Sequence, residues 1–179
     1  MKKTIFLLAL FTGIASAQPI QLDMSVFAER REAFMKKMEP NSVAIFPCKP
    51  EYLRNLDVEY EYRQESNFYY LSGYEEPESI LLINPSAAKN RFIMFVRKRD
   101  PRRETYDGPL SGIDGAMAIF RADTAYVFDD FQTLVHRHIG HGGTLYYNFG
   151  INPKMDEMMR EMFVERRASG NFPIIDPSP

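Results

Sequence analysis

Tyr62-Arg-Gln-Glu-Ser-Asn-Phe-Tyr-Tyr-Leu-Ser-Gly-Tyr-Glu-Glu-Pro-Glu-Ser-Ile-Leu-Leu-Ile83 is the stretch on which the fold turns. Its end, Ser79 to Ile83, is a near-continuous apolar run, as expected of a strand covered on both faces. Pro77 sets the backbone just before that strand, and Gly73 permits a turn that a side chain would hinder. Upstream, Asn67 to Leu71 is aromatic and reads as a strand, with Phe68 and Tyr70 alternating with Asn67 and Tyr69. Arg63 and Gln64 carry several donors with which to hold a loop against a sheet.

Working outward, strands and helices alternate. Toward the amino terminus, Ser42 to Phe46 is a short buried strand, and residues 48 to 65 are polar with no clean period, which predicts a long loop. Met24 to Met38 predicts an amphipathic helix with Phe27, Phe34, Met35 and Met38 on one face. Arg30, Arg31, Glu32 and Lys37 fall largely on the other. Asp23 or Ser25 caps it, and Pro40 follows its end.

Toward the carboxyl terminus, Arg91 to Val96 predicts a strand buried on both faces, Ile113 to Phe120 a short helix and Ala125 to Phe128 a strand. Asp129 or Asp130 is placed to cap a helix running to about Ile139. Thr144 to Phe149 predicts a strand. Pro153 suits the first turn of a last helix ending near Arg166, with Met155, Met158, Met159 and Met162 on its apolar face. Residues 168 to 179 read as loop. This alternation predicts an α/β fold, a mixed sheet with helices on both faces.

Composition narrows the function classes. Hydrophobic residues at 45% and charged residues at 26% describe a globular domain rather than a disordered chain. A formal charge of -2 lacks the basic excess of a nucleic-acid binder. Lys2 and Lys3, the apolar stretch Ile5 to Ile14 and Ala15-Ser16-Ala17 form a secretory signal-peptide pattern over residues 1–17. Its removal leaves 20 basic against 24 acidic residues, a charge of -4. The chain is thus expected to be exported, to the periplasm or beyond the cell, and to leave the membrane after cleavage. Cys48, the single cysteine, has no disulfide partner within the chain and lies in an apolar stretch, so a buried thiol is expected.

No complete catalytic constellation is present. Phosphate-loop and G-x-S-x-G motifs are absent, as are cysteine pairs for zinc. His136, His138 and His141 are the only histidines, and a metal site built from them is the weaker reading against a helix end followed by a glycine turn. The basic run Arg97 to Glu104 is diluted by its own Asp100 and Glu104 and reads as a solvated loop. Glu75, Glu76, Asp129 and Asp130 take structural roles at turns and helix starts.

The string Tyr62 to Ser79 resembles the amino-terminal domain of aminopeptidase P, whose pattern is roughly Y-R-Q-x-S-x-F-x-Y-L-T-G-F-x-E-P-x-A before an apolar strand. The likeness continues in Phe95-Val-Arg-Lys-Arg-Asp-Pro101, Glu104-Thr-Tyr-Asp-Gly108 and Gly112-Ile-Asp-Gly-Ala116. Prolidases carry a looser version of the pattern.

The resemblance implies a six-stranded mixed sheet with helices on both faces over residues 18–176. It implies a non-catalytic domain that builds an oligomer and narrows access to the active site of an Xaa-Pro aminopeptidase. The catalytic machinery is expected in a separate pita-bread domain, where two manganese ions are held by two Asp, one His and two Glu. None of those ligands is identifiable in this sequence, so no metal is expected on this chain, and residues 177–179 correspond to the start of a linker. Tyr106 takes the position of a family aromatic that reaches a neighbouring subunit's active site, although Pro109-Leu110 replaces the Arg pair that usually follows. The implied partners are the catalytic domain or other subunits. A stand-alone peptide- or protein-binding module and the amino-terminal part of a prolidase are the alternatives.

Overall fold

The computed structural model describes residues 23–56, 58–140, 143–168 and 174–176. The signal-peptide pattern at 1–17, His141 and the expected linker start at 177–179 lie outside them. Six strands form one mixed sheet in the order β6-β5-β4-β1-β7-β8, comprising β1 (Val43–Pro47), β4 (Ile80–Ile83), β5 (Phe92–Val96), β6 (Thr124–Val127), β7 (Thr144–Tyr147) and β8 (Ile174–Asp176). β4 runs antiparallel to both neighbours, and the other adjacent pairs are parallel. The sheet has the class that the alternation predicts, and β8 adds an edge strand where a loop was expected. It lies parallel to β7, with Thr144 opposite Ile174.

Strict alternation along the central strands builds two cores. Ile45, Ile80, Leu82, Ile93, Phe95 and Leu145 point to one side and pack on α5 (Phe131–Val135) and α6 (Pro153–Ala168). Ala44, Leu81, Ile83, Met94 and Val96 point to the other and pack under α1 (Met24–Met35), α2 (Ser66–Ser72) and α4 (Gly112–Ala118). All nine residues of β4 and β5 are buried, as unbroken apolar runs require.

Four further expectations change. Asn67 to Leu71 is helix, not strand. The Glu65 carboxylate accepts the Phe68 N–H at 2.8 Å, Phe68, Leu71 and Ser72 form the buried face, and Gly73 ends the helix at φ 68°. Residues 48–65 contain a two-stranded hairpin, β2 (Leu53–Asn55) and β3 (Val58–Glu59). Arg31 is buried, not on the solvent face of α1. It donates to the Leu71 carbonyl at 2.8 Å and stacks on Phe92, and burial pushes its guanidinium pKa down to about 10. Neither Asp129 nor Asp130 caps α5 with its side chain; a 3-10 turn, Phe128–Asp130, leads into that helix.

Candidate functional site

The register places the carboxyl ends of β1, β5, β6 and β7 at one end of the sheet, since Pro47 pairs with Ile80, Ile80 with Phe95, Val96 with Val127, and Ile45 with Tyr147. In sheets of this kind the segments leaving those ends are the usual place for a site. Here they are residues 48–65, 97–111, 128–130 and 148–152, and residues 73–79 enter β4 at the same end.

Three polar side chains tie these segments together. Gln64, buried, accepts from the Tyr62 hydroxyl at 3.0 Å and from the backbone N–H groups of Glu65 and Lys49, and donates to the Glu76 carbonyl at 3.3 Å. Glu76 accepts the Tyr74 hydroxyl on Oε2 at 2.8 Å, and the Ser111 N–H and hydroxyl on Oε1 at 2.8 and 2.5 Å. Arg97, only 8% exposed, donates Nε to Glu78 at 2.7 Å and a terminal nitrogen to Glu51 at 2.8 Å. Burial alone would lower its pKa, but Glu78 and Glu51 outweigh it and hold the guanidinium above its usual value.

The basic run is therefore not a solvated loop throughout. Arg97 is an internal cross-link, and α3 (Pro101–Asp107) begins four residues later, with Asp100 accepting the Arg102 N–H. Arg99 forms a two-point pair with Glu104, at 2.7 and 2.9 Å. Tyr106 lies within α3. The pairing with Arg99, joined by the N–H of Leu110, holds the Glu104 carboxyl below its usual range.

Cys48 is buried, and its sulfur accepts the Ser79 N–H at 3.3 Å. Burial pushes the thiol up, which leaves little of the nucleophilic thiolate at neutral pH. The Met155, Met159 and Met162 face of α6 is core. His136 lies 3.7 Å from Glu165, and His138 packs beside Tyr126. Among the described residues no group of three or more His, Cys, Asp or Glu is placed to hold a metal ion. The described residues do not fit a two-metal centre.

The hairpin is the surface that sequence reasoning missed. Tyr52, Leu53, Leu56, Val58 and Tyr60 are all at least 52% exposed. The signal was there: Val58, Tyr60 and Tyr62 alternate with Asp57, Glu59 and Glu61. A second apolar surface is a groove of about 460 Å3 between α1, α2 and β7, floored by Phe34, Met38 and Tyr146 and rimmed by Arg30 and Lys37.

Residues 27–146 match the family described as "Aminopeptidase P, N-terminal domain". The Xaa-Pro aminopeptidase of Escherichia coli (strain K12) is 32% identical over 131 residues, 73% of this chain and 30% of that protein. The Haemophilus influenzae Xaa-Pro aminopeptidase is 32% identical over 144 residues, 80% of this chain and 34% of that protein. Among solved structures, Pseudomonas aeruginosa aminopeptidase PepP superimposes with a TM-score of 0.78 at 39% identity, covering 87% of this chain and 36% of that one. A low-pH form of E. coli aminopeptidase P gives 0.80 at 28% identity, with the same coverage. The chain spans about a third of the length of these relatives.

Proposed function

The chain belongs to the aminopeptidase P N-terminal domain family, and from that premise we propose that it serves as the non-catalytic domain of an exported Xaa-Pro aminopeptidase. It docks on a catalytic portion, contributes to the oligomer and narrows access to the active site. That portion would hold the two manganese ions, whose chemistry when bound is to activate a water, and would split the bond before proline. None of that chemistry is carried by the residues described above.

The observation that carries this reading is the family match over residues 27–146, which runs through most of both cores and through Gln64, Glu76 and Arg97. The exposed hairpin supports the docking role, because five large apolar side chains within nine residues form a patch that water solvates poorly. The Tyr106 segment is the part presented toward a neighbouring active site, and the signal-peptide pattern at 1–17 supports export.

The test has two arms. The purified chain, given manganese and a proline-containing peptide, should release no amino acid. Co-expressed with the catalytic portion of an aminopeptidase P, it should co-purify with it. Release that a chelator abolishes would overturn the first claim, and a monomer that ignores the catalytic portion the second. The groove beside α1 favours a second reading, a peptide-binding module. Xaa-Pro peptides at millimolar concentration should then raise the unfolding temperature.

A further inference from the structure

We propose that Glu76 is a positioning residue which clamps the amide and hydroxyl of Ser111 and, with the Arg99–Glu104 pair, fixes the ends of segment 104–111, on which Tyr106 is carried. The proposal rests on the reading above in one respect only, that this segment is what the domain presents to a neighbour.

Glu76 is oriented from inside the domain. Tyr74, fully buried, donates its hydroxyl to Oε2, and the Glu76 carbonyl is held by Gln64 and by the Ser79 hydroxyl at 2.9 Å. Its other oxygen is thereby aimed at Ser111, where it takes both the amide and the hydroxyl. At the other end of the segment, Glu104 is held too. Glu104 is itself steered by Arg99, whose aliphatic stem packs so closely on Gly112 that a Cβ there would lie 2.6 Å from Arg99 Cγ.

The base of the segment is therefore gripped by Glu76 at Ser111 and wedged by Arg99 at the first residue of α4. Before the grip, Gly108 sits at φ 84°, and a Cβ built on it meets no atom within 4 Å. Two bonds to one residue, from its amide and from its hydroxyl, fix its orientation as well as its position.

Amide hydrogen exchange on the full chain tests this, comparing wild type with Glu76→Ala, Glu76→Gln and Ser111→Ala. A hydrogen bond to a charged acceptor is strong enough that Glu76→Ala should speed exchange at Ser111 roughly tenfold or more. Exchange in β4 and β5 should rise by a smaller factor. Glu76→Gln keeps an acceptor for the amide and should restore most of the protection. Ser111→Ala, which removes only the hydroxyl, should fall between.

Unchanged exchange at Ser111 in Glu76→Ala, or an equal rise in β4 and β5, would overturn the clamp. The functional reading fails separately. If Glu76→Ala frees Ser111 but neither it nor Tyr106→Ala alters capture of the catalytic portion, the clamp stands and the presentation role does not.

Discussion

Gly73 closes α2 directly against the ring of Phe27, at a place where no side chain fits. Its φ is 68°, its N–H reaches the Tyr69 carbonyl at 2.7 Å, and a Cβ built there would lie 2.7 Å from Phe27 Cε2. Phe27 is 1% exposed and meets Tyr69 edge-on, so the α1–α2 contact is built around the missing side chain.

Gly73→Ala should therefore cost at least about 2 kcal/mol, since a left-handed conformation and a displaced ring act together. For a domain of this size that is a fall of about 4–8 °C in Tm. Thermal unfolding followed by circular dichroism checks it, and an unchanged midpoint would contradict the packing described.

Arg97→Ala should destabilise by about 2 kcal/mol, the range for hydrogen bonds to charged groups. The carboxylates it leaves behind, on Glu51 and Glu78, keep 31% and 46% side-chain exposure, so water limits the loss. Arg97→Lys should recover only part, because one ammonium cannot span both acids as the guanidinium fork does. Urea titration of the three proteins reads the order directly.

Asn152 joins α6 to the end of β1. Its Oδ1 accepts the N–H groups of Lys154 and Met155 at 3.2 and 3.3 Å, and its Nδ2 donates to the Cys48 carbonyl at 3.0 Å. Asn152→Ala removes a helix cap and leaves a buried carbonyl without that donor, a loss of about 2 kcal/mol. Asn152→Asp should keep the cap but lose the donor, and fall between the two in equilibrium unfolding.

Stability should fall as pH rises past about 10. Burial, reinforced by neighbouring acids or Cys48, pushes the phenols of Tyr62, Tyr74 and Tyr147 up in the folded protein. In the unfolded chain they ionise near the ordinary value, so above it the unfolded state is favoured. Arg31 opposes this: its pKa of about 10 when folded disfavours the charged form, a cost relieved between pH 10 and its ordinary value. Arg166, lowered by burial, acts in the same sense as Arg31; three tyrosines and the Cys48 thiol against two arginines give a net loss. Ultraviolet titration should show these phenols ionising in one step with unfolding; smooth titration of all ten tyrosines with the fold intact would contradict their burial.

Much of the fold was legible. Ile80–Ile83 and Phe92–Val96 are apolar throughout, and only a strand covered on both faces uses such runs in a domain with helices between its strands. The helices α1, α4 and α6 announced themselves by caps, by Pro153 and by spacing. The helix α2 did not: Phe68, Tyr69 and Tyr70 favour a strand locally, and the Glu65 cap and the Phe27 ring above Gly73 outweigh that preference. The site was less legible, because Gln64 and Glu76 make their contacts to residues as distant in the chain as Ser111.

Sequence alone determined the α/β class and the two-faced burial of the central strands, because periodicity and local backbone chemistry act between near neighbours; the family was legible through the resemblance of the Tyr62–Ser79 string. Tertiary structure alone decided that Arg31 and Arg97 lie inside, that the Met face of α6 is core, and that an acidic turn grips the start of α4. A charged side chain is stable in the interior only where partners converge on it from separate segments, and that convergence exists only once the chain has folded.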